Sequence, residues 1–211
     1  MHSPELHSRA IFPTSYFPSV DYLTELLKFE IVEIEIHESY PKQTLRNRCT
    51  ILSANGLLHL SIPVIKVNGN NTKTGEIGIF NDEPWQSKHL RAIESAYRSS
   101  PFFDHYIHHF EKIFNRKYEK LIDLNTEILQ LIFKRLKTDK TVTFTKNYEK
   151  KADDFFDFRQ TFNCKNIETD STYKPYNQVF SDRSAFQPNL SFLDLLFNEG
   201  PNALMYLQKK M

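Results

Sequence analysis

The sequence predicts a single α/β domain, with a mixed α+β arrangement as the alternative, built from a small N-terminal sheet and a central cluster of helices. Three observations predict it. Residues 31–36, Ile-Val-Glu-Ile-Glu-Ile, alternate apolar and acidic side chains with the period of a half-buried strand. Two β-prone stretches, 44–52 and 57–64, flank Asn55-Gly56, a dipeptide that suits the positive φ angles of a tight hairpin turn. Residues 118–136 instead place Leu121, Leu124, Ile128, Leu131, Ile132 and Leu136 at helical spacing.

In chain order, residues 11–18 form a short extended segment that enters a proline-punctuated loop. Tyr22, Leu23, Leu26 and Leu27 then make 20–29 a first short helix. After the strand and hairpin, the polar residues 68–75 form a flexible loop and 76–80 a fourth strand. Residues 84–99 read as a helix: Asn81 and Asp82 are its capping candidates, and Ser100-Pro101 ends it. Pro84 suits the first helical position, where its missing N–H costs nothing. Helices follow at 101–116 and 118–136, then a short β-branched strand at 141–145 and an irregular polar and aromatic stretch at 150–174. Residues 191–197 and 202–208 close the chain as short helices, Ser191-Phe-Leu-Asp194 having the shape of a capping box with Asp in place of Glu. No internal repeat is visible, so 1–211 is read as one domain, with 1–10 flexible.

Composition removes several function classes. Lys plus Arg number 27 and Asp plus Glu 26, and a net charge of +1 excludes a nucleic-acid binder that works through bulk charge. Only five glycines are present, which excludes most Gly-rich phosphate loops. The segment from Gly69 to Gly75 lacks the Gly-Lys-Ser/Thr ending of a P-loop, and no dinucleotide fingerprint occurs. Cys49 and Cys164 are the only cysteines and form no CxxC pair, so they read as reduced thiols. The first ten residues lack the apolar core of a signal peptide, and the longest uncharged run, 49–65, is too polar for a membrane span. The expectation is a cytoplasmic protein without membrane insertion and without a cofactor.

Four groups of residues bear on chemistry. His105, His108 and His109 lie at i, i+3 and i+4 on a helix, a spacing that lets two imidazoles share a metal. No Glu stands beside the first His and no distant third ligand is apparent, so a solvated helix face is the reading and no metal is assigned. Asp153, Asp154 and Asp157 interleave with Phe155, Phe156 and Phe158, which reads as an amphipathic segment with its acids in water. Lys42, Arg46, Asn47 and Arg48 enter the hairpin, where alternation sends both arginines to one side. They form either a guanidinium fork for phosphate or carboxylate, or a basic face paired with Glu33, Glu35 or Glu38. Trp85, Lys88 and His89 share the first turns of a helix, either lining a sugar or nucleotide pocket or packed into the core.

These pieces occur in a recognisable order. Ile-Phe-Pro-Thr-Ser-Tyr-Phe-Pro at 11–18 with Tyr22, Tyr40-Pro-Lys42 followed by Asn47-Arg48, and Leu-Ser-Ile-Pro-Val at 60–64 resemble the opening segments of the WbqC-like family. Trp85-x2-Lys88-His89, Ala96-Tyr97-x3-Pro101 and Leu-Ser-Phe-Leu-Asp-Leu-Leu-Phe-Asn at 190–198 are similar to its later ones. The resemblance covers about 11–140 and 176–205, while 146–176 reads as a divergent or shortened segment. Phe12 stands where the family has Gln, and Asp21 where it has Gly. The resemblance implies a transferase of bacterial surface polysaccharide (O-antigen type) biosynthesis, passing a glycyl, aminoacyl or acyl group to an amino sugar precursor. Its substrate would be a nucleotide-activated sugar or other polysaccharide precursor.

On that reading His89 is the candidate base, with Arg48 and Lys42 as catalytic anion or carbonyl binders. Tyr16, Asn47, Trp85, Lys88 and Tyr97 are the candidate substrate-binding residues. The alternative is a non-catalytic binding or assembly protein of the same pathway, with a protein partner docking on aromatics around 155–158. A nucleotidyltransferase-like fold also opens with a strand, a Pro-rich loop and a helix, but the Gly-His pairing of such a loop is missing.

Overall fold

The run Ala10-Ile-Phe-Pro13 is buried throughout, as a strand covered on both faces must be, and it forms the centre of β1 (His7–Pro13). The computed structural model describes residues 7–42, 44–150, 155–162 and 173–209. From β1 the chain turns through Thr14–Ser19 into α1 (Val20–Leu27), whose Ser19 cap accepts from Tyr22 N. It returns in β2 (Phe29–Glu35), which lies parallel to β1 with Pro13 opposite Glu35. Two further parallel strands complete the sheet in the order β7-β2-β1-β8, where β7 is Val142–Phe144 and β8 is Phe156–Asp157.

The mixed α/β class expected from the sequence is therefore present, but the sheet is not purely N-terminal, since two of its strands come from residues 142–157. Strand β8 falls in the stretch read as irregular. Two residues are too few to show any periodicity, and β8 exists because it pairs with β1. Phe158, expected on an outer patch, is partly buried and packs against the core, stacked on Phe12 at 4.6 Å and edge-on to Phe29 at 5.5 Å. Asp153, Asp154 and Cys164 lie outside the described residues, and Cys49 is a buried free thiol.

The hairpin forms a separate two-stranded sheet of β3 (Arg48–Ser53) and β4 (Gly56–Ser61). Ser53 pairs with Gly56, so Ala54 and Asn55 make the tip and the positive φ falls on Gly56 alone, at 100°. The first strand starts at Arg48, not at 44, because the preceding turn is held from outside: Tyr16 N donates to Leu45 O at 3.0 Å and Asn125 Nδ2 to Arg46 O at 2.8 Å. A third small sheet pairs β5 (Val64–Ile65) with β6 (Gly78–Ile79).

The helices are α2 (Trp85–Tyr97), α3 (Phe103–Phe114), α4 (Leu121–Leu136), α5 (Phe192–Glu199) and α6 (Ala203–Lys209). Pro84 stands one position before α2, and Asn81 does not cap it; its Nδ2 donates to Ile79 O and Tyr118 O. At α5, Ser191 caps the helix by accepting from Leu193 N, but no capping box forms, because Asp194 turns away to Tyr176 and Gln178. Helix α4 buries Leu121, Leu124, Ile128, Ile132 and Leu136 along one stripe, each contributing about 1.5–3 kcal/mol of transfer free energy. Leu131 sits at the edge of that stripe and is partly buried. Among the described residues no helix is long and apolar enough to cross a membrane.

Candidate functional site

Leaving β1, the chain builds outward through β2 to β7, then returns to place β8 on the other side of β1. The direction reverses between β1 and β8, and the crevice beyond the carboxyl ends at such a reversal is where open α/β sheets hold their ligands. The loop Thr14–Ser19 sits at this point. Its Phe17 is buried with φ at +40°, a conformation that costs a non-glycine residue about 1–3 kcal/mol and persists only where the surroundings fix it. Thr14 and Ser15 are buried beside Asn125 of α4, whose Nδ2 donates to Thr14 Oγ1 at 3.0 Å, while its Oδ1 has no partner among the described residues.

A chain of buried charges lines the same end of the sheet. Glu35, fully buried, accepts from His37 N (2.7 Å), Thr145 Oγ1 (3.1 Å) and Arg159 Nη1 (3.3 Å). Arg159 also grips Asp157 through two bonds of 2.9 and 2.6 Å, donates to Glu149 O, and lies 5.0 Å from the Tyr148 ring. Arg46 joins this group by donating to Arg159 O at 3.2 Å, and it pairs with Glu38 Oε1 at 2.6 and 2.8 Å. The hydrogen bonds from Arg159 hold the Asp157 carboxyl below its usual pKa. Burial raises that of Glu38, and Arg46 only partly offsets it. Among the described residues every hydrogen bond to the Glu38 carboxylate falls on Oε1, including one from Thr74 Oγ1 at 3.4 Å, and none falls on Oε2.

Three of the residues singled out in the sequence meet next to this crevice. Tyr16, from the β1 exit loop, bonds through its hydroxyl to His89 Nδ1 at 2.9 Å, and the Trp85 ring stands edge-on to His89 at 5.4 Å. Trp85 and His89 face Tyr16 together because they are one turn apart on α2. All three are buried, and burial pushes the His89 pKa down to about 4, with its bond to the Ser61 carbonyl opposing the shift. Arg48 is half-buried: its Nε is shielded from water without a partner, and its guanidinium forms no ion pair among the described residues. Asn47 exchanges bonds with Ile62 through Nδ2 to O (2.8 Å) and through its own carbonyl to Ile62 N (2.9 Å).

The others lie apart. Lys42 is exposed, and Lys88 extends into solvent 3.9 Å from Glu83. Tyr97 is packed on Phe197 and accepts from Leu52 N at 3.3 Å, deep between α2 and α5. Arg46 does not stand beside Arg48 on a strand. It lies in the turn before β3 and points inward to Glu38, the paired alternative that the sequence left open. His109 Nε2 is bonded to Arg135 Nη1 at 2.8 Å, and among the described residues no group of three or more His, Cys, Asp or Glu is placed to hold a metal.

The sequence profile of the WbqC-like protein family matches residues 14–173, about three quarters of the chain. The chain belongs to the WbqC-like family. No curated protein and no solved structure matches it. The matched WbqC-like span begins at the β1 exit loop and contains Tyr16, Glu35, Glu38, Arg46, Arg48, His89, Asn125 and Arg159. It also runs through 146–173, the stretch read as divergent, while the ending at 190–198 lies outside it. Asn125 and Arg159 escaped the sequence reading, and Glu35 and Glu38 entered it only as possible partners of a basic hairpin face. An acid on an alternating strand looks solvated until the strand's neighbours are known.

Proposed function

We propose that this WbqC-like protein is a cytoplasmic transferase of bacterial surface polysaccharide (O-antigen type) biosynthesis, transferring a glycyl, aminoacyl or acyl group to an amino sugar precursor. The observation that carries the reading is the cluster of buried charges at the carboxyl ends of the sheet, where the strand order reverses between β1 and β8, joined to the family membership. Acyl transfer needs a base for the attacking amine and a cation for the donor. Glu38 serves as the base: its carboxyl has a raised pKa and an Oε2 that takes no hydrogen bond among the described residues. The amine nitrogen attacks the carbonyl carbon, its proton passes to Glu38 Oε2, and the leaving group departs with the bonding pair. Arg48, whose guanidinium forms no ion pair among the described residues, binds the phosphate or carboxylate of the incoming precursor. His89, both of whose ring nitrogens are engaged and whose pKa is near 4, positions Tyr16 instead of taking the proton.

A thermal-shift panel of nucleotide-activated amino sugars, amino acids, acyl donors and nucleotides tests the reading first. A ligand at 100 times its Kd adds about 2.7 kcal/mol to stability. With a substrate in hand, Glu38→Gln should lower kcat by about 100-fold or more, and Arg48→Met should act chiefly on KM. Turnover unchanged in both variants sinks the assignment. A second reading, a binding or assembly protein of the same pathway, is favoured by the exposed Ile65, Val67 and Phe80 on and beside the β5–β6 pair. A flat ligand panel together with a stoichiometric partner would support it over the first.

A further inference from the structure

At the end of the sheet opposite the crevice, a hollow of about 610 Å³ opens between the last turn of α4 and the start of β7. That volume falls within the range of small-molecule sites. Phe133 and Val142 give it an apolar wall, and Lys134, Lys137 and Lys140 surround it with Asp139 as the single lining carboxylate. Lys140 is already engaged, since its Nζ donates to Phe29 O and Glu30 acts on its charge. Lys134 and Lys137 are exposed and, among the described residues, form no ion pair or hydrogen bond through their ammonium groups.

These cations exceed what the helix end requires. The C-terminal dipole of a helix amounts to roughly half a negative charge, and Arg135 also lies in this last turn. Two of the last carbonyls are bonded as well, Lys134 O by Lys137 N and Phe133 O by Thr138 N. Two hydroxyls border the hollow. Thr138 Oγ1 accepts from Lys140 N at 3.4 Å, which leaves its proton to donate, and Thr141 is exposed.

We propose that this hollow binds a phosphate-bearing small molecule, with the phosphoryl group held by Lys134 and Lys137 and by the hydroxyls of Thr138 and Thr141. The site is independent of the transferase reading and lies at the other end of the strands. The arrangement matches phosphate chemistry because two ammonium groups supply charge and two hydroxyls supply donors around one anion.

The test is an amide NMR titration of the full chain with inorganic pyrophosphate, against potassium chloride at equal ionic strength. Saturable shifts at residues 134–141 are expected with pyrophosphate alone. The double variant Lys134→Gln/Lys137→Gln, both positions exposed, should fold normally and bind about tenfold more weakly or worse. Equal shifts with chloride, shifts confined to residues 14–18 and 44–48, or unchanged affinity in the double variant would each overturn the proposal.

Discussion

His89 shows how one side chain ties the β1 exit loop to α2. Its imidazole is neutral in the folded chain, accepting from Tyr16 and donating to Ser61 O. The unfolded chain takes up that proton near pH 6.5, whereas the folded chain does so only near pH 4. Stability is therefore complete above pH 6.5 and is lost as the pH falls from 6.5 toward 4. Between pH 7 and 4.5 the loss from this residue is about 2–3 kcal/mol. Urea unfolding of the wild type and His89→Gln at both pH values isolates it, because all other groups titrate in both proteins. The wild type should lose about 2–3 kcal/mol more than the variant. Parallel losses would show that His89 is not held neutral.

Among the elements, α5 depends most visibly on a single backbone position. The helix ends at Gly200, with φ at +52°, and a Cβ placed there would lie 2.5–2.7 Å from ring carbons of Phe102. Phe102 cannot yield easily, since its own N–H is bonded to Phe197 O at 3.0 Å. Gly200→Ala combines a left-handed alanine with an overpacked ring and should cost about 3 kcal/mol or more in urea unfolding. Gly56→Ala, also at positive φ but facing open space, should cost only about 1 kcal/mol. Near-equal costs would show that the Phe102 contact carries no energy. The helices were legible because their stripes run over three or more turns, α4 above all. The hairpin was legible because Gly56 marks its turn. Strands β7 and β8 have three and two residues, and their place is set by partners more than a hundred residues away, which no local pattern records.

For the whole molecule, the same nonlocality hid the site. Tyr16, Trp85 and His89 could be singled out as residue types, and Arg48 as a cation, but Glu35 stood only as one of three acids that a basic hairpin face could pair with. It becomes a buried one only when β7 and β8 flank the inner strands and Arg159 reaches across. Arg159 joins the end of β2 through Glu35, β8 through Asp157, the chain after β7 through Glu149 O and Tyr148, and the hairpin entry through Arg46. Removing the cation leaves Glu35 charged and fully buried without its counter-ion, a situation that costs about 3–5 kcal/mol. Arg159→Met should therefore unfold at much lower urea than the wild type, with the loss falling on the carboxyl ends of the sheet. Adding Glu35→Gln removes the stranded charge and should restore more than about 1 kcal/mol, a coupling that a double-mutant cycle reads directly. Hydrogen exchange supplies the second readout: the Phe158 amide, bonded to Ile11 O, should lose protection in Arg159→Met before the α4 amides do. Strictly additive variants with an unchanged Phe158 amide would mean that the strand pairing alone, and not Arg159, closes the crevice end of the sheet.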